Sequence, residues 1–412
     1  MRTYLLANTR EATPQLPSYR SACRALLLFF IAPLLLGLTA CSRLHHHAAA
    51  NFVYVTAKQA YLRDRIAAVS TRTATVTNGQ RLQILQAGRR TFQVKTDKGE
   101  IGWIKETEVA PGQIAEDFDA LQRAHASDAV VATAAVRDEV SMHVAPGRDT
   151  NKLFLLQEGD KLKLLQRATL AKSTLPIAAP KKIKPGASPA VAPTPPAPAP
   201  DAPPPIMEDW WLVRDTQGRT GWIYSRMMDV DSPDVLTRYA ENQRVVSAAI
   251  LTTINDPDAE AADKNIPVYV VAYAPYKAGL PYDFDQVRVF TWNKTKHRYE
   301  TAYRERNMEG FLPLVTGTQS LDAVKDVKLA GSIGTGPLPI FKYKVLSGDA
   351  GPIFVDPVTG IAKPGQLIEK DFRLEGNYVR RILLPGQSMT TPQAHPEPEP
   401  DKKAAKAAKK KR

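Results

Sequence analysis

A ten-residue stretch occurs twice in this chain, and that duplication limits the possible fold more than any other feature. Lys95-Thr96-Asp97-Lys98-Gly99-Glu100-Ile101-Gly102-Trp103-Ile104 lines up with Arg214-Asp215-Thr216-Gln217-Gly218-Arg219-Thr220-Gly221-Trp222-Ile223. Upstream, Asn78-Gly79-Gln80-Arg81-Leu82 matches Glu158-Gly159-Asp160-Lys161-Leu162. Further back, Ala60-Tyr61-Leu62-Arg63 pairs with Val140-Ser141-Met142-His143. Matches at corresponding places mean one small unit built twice. Within the first copy, apolar and polar residues alternate in short runs: 52–55, 79–85, 91–95 and 101–104. A period of two, broken by tight turns such as Asp97-Lys98-Gly99, predicts short strands closed into a small all-β barrel.

The turn glycine, the Gly-Trp pair and the apolar residue after it resemble bacterial SH3-like (SH3b) domains. The resemblance covers roughly residues 52–109 and 129–231. It departs from the family where an Asn-Val-Arg usually precedes a Ser/Gly turn. Arg63 keeps the arginine in the first copy, and the second has His143-Val144-Ala145-Pro146-Gly147. The resemblance implies two barrels that recognise cell-wall peptides or envelope proteins. An indole offers an apolar face and one N–H donor, so Trp103 and Trp222 suit a ligand groove or a core plug. The plug is the expectation. Trp210 and Trp211 are adjacent on a strand and therefore face opposite sides. One of them is expected at a groove, with Tyr224 nearby, as a ligand-contact surface.

The N-terminus carries a second resemblance. Residues 25–38 form an apolar run after Arg20 and Arg24, and small residues follow. The run is short for a bilayer span, which needs about 20 residues. Basic flank, apolar run and small-residue zone together make an export signal. Its end, Leu38-Thr39-Ala40-Cys41, resembles the lipobox of bacterial lipoproteins; an uncleaved anchor helix or an ordinary signal is the alternative. The lipobox implies removal of residues 1–40 and lipidation at Cys41. Each buried CH₂ contributes roughly 0.8 kcal/mol, so two or three chains hold a protein on a membrane. Ser42 in place of Asp implies, in a Gram-negative cell, an outer-membrane address facing the periplasm. Cys23 and Cys41 are the chain's 2 cysteines. Cleavage leaves no free thiol, which excludes a cysteine hydrolase. His45, His46 and His47 lie in the segment 41–51, read as a polar tether because no spaced fourth metal ligand accompanies them.

The chain has 412 residues and 33 prolines, and the prolines cluster. Residues 169–206 are rich in Pro and Ala and cannot form a packed core, so an extended or disordered insertion is expected. It falls between Leu165 and Trp211, where the first copy joins Leu85 to Phe92 by a short turn. It therefore reads as a loop that leaves and re-enters one barrel, either a reaching arm or a tolerated insertion.

Residues 234–386 read as one β-rich domain of no recognised family. Ser232-Pro233 suits a helix start, and Leu236, Tyr239, Ala240, Val246 and Ala249 predict an amphipathic leading helix over 233–250. Strands are predicted at 267–273, 286–292, 297–303, 340–346 and 378–383, with a hairpin turn at Asn293-Lys294-Thr295-Lys296. Asp283, Asp285, Glu300 and Glu305 are candidate carboxylates. His297 and Glu300 sit three apart on a strand and face opposite sides. No hydrolase or phosphate-binding motif is present, and Gly331–Pro337 reads as a loop. The tail, 387–412, should be disordered. Its lysines, part of a net charge of +13, would attract anionic polymers or lipid headgroups. Export removes nucleic acid as a partner.

The expected fold is mainly β: two SH3-like barrels (52–112 and 129–231), then a β-rich domain with a leading helix. The expected function is that of a membrane-anchored, non-catalytic envelope lipoprotein binding peptidoglycan or an envelope protein. A wall hydrolase targeted by the paired modules and a scaffold of another envelope complex are the alternatives. No cofactor or metal is expected.

Overall fold

The computed structural model describes residues 51–172, 205–262, 264–320, 328–329 and 337–396. The signal segment, Cys41, the tether up to residue 50, most of the proline-rich insertion, the Gly331–Gly336 stretch and the tail from residue 397 lie outside the described residues. Among the described residues no helix is long and apolar enough to cross a membrane.

The protein is mainly β, and the duplication is written into its strand order. The first module has β1 (Phe52–Val55), β2 (Gln59–Arg63), β3 (Arg72–Thr77), β4 (Arg81–Ala87), β5 (Thr91–Lys95), β6 (Ile101–Lys105) and β7 (Val109–Pro111). The second has β8 (Ala132–Val136), β9 (Val140–His143), β10 (Lys152–Leu156), β11 (Lys161–Ala171), β12 (Met207–Asp215), β13 (Thr220–Tyr224) and β14 (Met228–Val230). The sheets run β3-β2-β6-β5-β4-β1-β7 and β10-β9-β13-β12-β11-β8-β14. Replacing each strand by its counterpart in the other copy turns one order into the other.

The repeated glycines have matching jobs. Gly99 and Gly218 hold φ of +88° and +84°, a region that costs other residues strain. Gly102 and Gly221 permit a close crossing. A Cβ on Gly102 would lie 2.7 Å from the Leu62 Cβ, and one on Gly221 would lie 2.8 Å from the Met142 Cβ. Leu62 and Met142 are themselves counterparts. Val53, Val55, Leu62, Val76, Leu82 and Ile104 fill the first core. Each such side chain contributes roughly 1.5–3 kcal/mol on burial.

An unforeseen helix, α1 (Gly112–Ala124), joins the modules. Its Ala115 and Phe118 belong to the second module's core, where the Phe118 ring meets Phe154 edge-on at 5.1 Å. The two modules are also clasped by Asn78. Its amide donates to Thr56 O at 2.8 Å and Leu153 O at 2.9 Å, and its carbonyl accepts from Leu155 N at 2.8 Å.

The insertion leaves and re-enters one sheet, because β11 pairs directly with β12. The strands run further than expected, so Thr169, Leu170 and Ala171 are ladder residues rather than part of the loop. This lengthened hairpin docks on the third domain. Ala168 bridges to Ile361, and Thr169 N donates to Gly360 O at 2.7 Å. Arg167, 6% exposed, reaches Asp283 at 2.9 Å and Asp209 at 3.5 Å. Arg244 from the third domain also reaches Asp209, at 3.3 Å.

The third domain opens with α2 (Asp234–Thr237), a single turn. The predicted helix over 233–250 is corrected here. Glu241 and Asn242 take positive φ, the chain turns, and 243–255 form a strand. The β-branched residues Val245, Val246, Thr252, Thr253 and Ile254 favour that outcome. The strands are β15 (Gln243–Asn255), β16 (Asn265–Pro275), β17 (Phe284–Asn293), β18 (Arg298–Gln319), β19 (Lys328–Leu329), β20 (Leu338–Leu346), β21 (Phe354–Val355), β22 (Ala362–Lys363), β23 (Leu367–Glu375) and β24 (Tyr378–Leu383). Eight of them form one sheet, β15-β16-β17-β18-β20-β23-β24-β19, while β21 and β22 pair separately. Both faces of β16 are covered: Val268, Val270 and Ala272 join one apolar cluster, and Val271 and Tyr273 another.

The chain stays packed beyond residue 386, which corrects the expected tail boundary. Gly348 N donates to Pro392 O at 3.0 Å, Ala394 N to Leu346 O at 2.9 Å, and the Lys370 ammonium to the Gln393 side chain. These contacts hold residues to His395 against the third domain.

Candidate functional site

The candidate carboxylates of the third domain are spent separately. Asp283 pairs with Arg167. Asp285 accepts from Gln243 at 3.0 Å. Glu300 accepts from Asn293 at 2.9 Å and Lys296 at 3.0 Å. His297 faces Asp256, at 3.4 Å, rather than Glu300. Glu305 sits among Tyr303 at 2.6 Å, Tyr343 at 2.5 Å and Lys370. Burial alone would push its carboxyl up, but the Lys370 ammonium and the two hydroxyls outweigh burial and hold it below its ordinary value. Among the described residues no group of three or more His, Cys, Asp or Glu is placed to hold a metal ion.

The two modules differ at one corresponding place, beside the repeated tryptophan. The registers define the match. Trp103 pairs with Arg63 on one side and Gln93 on the other, and Thr91 pairs with Lys105. Trp222 pairs with His143 and Leu212, and Trp210 pairs with Tyr224. So Arg63, Thr91 and Lys105 in the first module stand where His143, Trp210 and Tyr224 stand in the second.

In the second module this place is full. Trp210 is 2% exposed and Trp222 is 4% exposed. Trp210 meets the His143 ring edge-on at 5.2 Å and the Tyr224 ring at 5.7 Å. Leu121 of α1 and Ile361 of the third domain complete the cluster. Arg148 closes over Tyr224 at 4.9 Å and pairs with Glu208 at 2.8 Å. Burial pushes the His143 imidazole below its ordinary value. Trp211 lies on the opposite face, in the main core with Val213 and Ile223. The expectation that Trp210 or Trp211 borders a groove is therefore corrected. The two do face opposite sides, but the second side is covered by elements distant in sequence. Tyr224 is half-buried in the same cluster.

In the first module the place is open. A cavity of about 460 Å³ is bounded by Tyr61, Arg63, the loop 65–68, Thr91, Trp103, Ile104, Lys105 and Glu108. Such a volume is in the range of small-ligand sites. Trp103 is half-buried here, a groove wall rather than the expected core plug. Arg63 donates to Ser70 Oγ at 3.0 Å, which props the loop beside the groove. Thr71 N donates to Asp64 at 2.8 Å, and this amide holds the Asp64 carboxyl below its usual value. Arg72 stacks on the Tyr61 ring at 3.8 Å. Ile66 is 60% exposed and Val69 87% exposed, so the loop shows apolar side chains to solvent.

Sequence reasoning missed Tyr61, Arg65, Ile66, Thr91, Lys105 and Glu108. A signal was present. Comparing the copies position by position around the tryptophan gives Arg, Thr and Lys in one and His, Trp and Tyr in the other.

Fold and site together define a mainly-β protein with a duplicated barrel-like module, one copy open and one filled. No known family model matches the chain, and no curated protein is detectably similar to it.

Proposed function

We propose that this is a lipid-anchored, non-catalytic envelope protein that grips a short segment of cell-wall peptide or of an envelope protein in the first module. The supporting observation is the groove at Trp103, open in one copy while its twin is filled by Trp210. An indole wall beside cationic and hydroxyl groups suits a peptide, which brings both apolar side chains and polar backbone. The lipobox-like Leu38-Thr39-Ala40-Cys41 supports the address. The anchor would keep the groove near the membrane surface, with the third domain beyond the filled module.

The test is a pull-down of residues 42–412 on purified sacculi. Trp103→Ala should abolish capture, and Trp210→Phe should leave it intact. Capture that survives Trp103→Ala overturns the placement of the site. Palmitate labelling of the full chain should disappear in Cys41→Ala; labelling that persists overturns the anchor.

A further inference from the structure

We infer that the groove of the first module selects an acidic, amphipathic peptide segment, with the loop 64–70 folding onto its apolar side chains. This rests on the reading of the groove as a peptide site and adds the chemistry of its occupant. Three cations, Arg63, Arg65 and Lys105, line the cavity with one carboxylate, Glu108. Arg65 also meets Asp64 of the same loop at 3.1 Å. Lys105 is exposed, and so are Arg89 and Arg90 at the neighbouring hairpin tip. That tip lies beside the indole, since a Cβ on Gly88 would sit 3.4 Å from Trp103 Cζ3. An excess of exposed cations around a partly apolar cleft attracts an anionic partner and repels a cationic one.

Ile66 and Val69 are exposed although the loop's base is fixed by Arg63 on Ser70 and by Asp64 on Thr71. In the second module the corresponding loop is tied down instead. Thr150 donates to Ala145 O at 2.7 Å, and Arg148 reaches across to Glu208 at 2.8 Å. The copy that keeps its groove open is thus the copy whose loop presents uncovered apolar side chains. One ligand explains both features: carboxylates toward the cations and aliphatic groups between Trp103 and the loop.

The experiment uses residues 42–412. Fluorescein-labelled peptides of alternating Glu and Leu, and the same peptides with Lys for Glu, are titrated by anisotropy at low and physiological salt. The acidic peptide should bind at least about tenfold tighter than the lysine peptide, and the difference should shrink with salt. Arg65→Glu with Lys105→Glu, both at exposed positions, should erase the preference with the denaturant melt of the chain unchanged. Ile66→Ser with Val69→Ser should weaken both peptides without changing it. Equal affinity for the two peptides, or a preference that survives the charge reversal, overturns the inference. Capture by phosphatidylglycerol vesicles that needs Ile66 and Val69, with no acidic-peptide binding, overturns it in favour of a lipid surface. Sacculus capture that depends on Trp103 together with equal peptide affinities would leave the proposed function standing and sink only the acidic selectivity.

Discussion

The two barrel-like modules share a strand order, their turn glycines and a Gly-Trp crossing, yet they spend the space beside the tryptophan in opposite ways. The first leaves Trp103 along a cavity with Arg63, Thr91 and Lys105. The second fills that space with Trp210 and seals it with Leu121 and Ile361. A duplicated fold therefore does not imply a duplicated site. The scaffold is kept by Gly102 and Gly221, where a side chain would collide with Leu62 or Met142. The site is decided by three positions that the scaffold leaves free.

The sharpest way to break this comparison is to delete each tryptophan in turn. Trp222→Ala removes a buried side chain and should cost about 3–5 kcal/mol in denaturant unfolding. Trp103→Ala should cost under about 2 kcal/mol, because its indole is only half-buried. Equal losses would mean that both indoles serve the core. Next in size, Gly221→Ala and Gly102→Ala should each destabilise by about 1–3 kcal/mol through overpacking against the crossing strand. A silent effect at either glycine would show that the crossing can relax.

A smaller effect belongs to His143 in the filled module. Burial holds the His143 imidazole below its ordinary value of 6.5. As pH falls, the unfolded chain therefore takes up that proton first. Stability from this group is complete above 6.5 and declines as pH drops through that value toward the lowered folded pKa. His143→Gln should flatten the profile there, which a series of denaturant melts between acid and neutral pH would read. Smallest in stability, within about 1 kcal/mol, is Thr91→Trp, which plants the second module's filler in the first module's groove. It should abolish sacculus capture while leaving the melt nearly unchanged.

The modules were legible in the sequence because tight turns and close crossings demand glycine, and glycine leaves a visible mark. Several third-domain strands were legible from alternation and the Asn293–Lys296 turn. The helix expected over 233–250 was not, because Leu236, Tyr239 and Ala240 imitate a helical face just before the β-branched run takes over. The α1 helix was missed, since its role depends on Phe118 meeting the second module. At the site, the rule that adjacent strand residues face opposite sides held for Trp210 and Trp211. Which side stays open depended on Leu121 and Ile361, brought in from far along the chain. Similarly, no local pattern distinguishes residues 387–396 from the rest of the tail; their partners are Leu346, Gly348 and Lys370.

Asn78 has a mechanical consequence. One amide ties the edge strand β10 to the turns of the first module, and the β11–β12 arms then run on to the third domain through Arg167 and Ala168. A pull applied near residue 51 would be passed along hydrogen-bonded strands rather than taken up by a slack joint. The two modules would swing as one lever, and the direction in which the groove points would be set by the whole body.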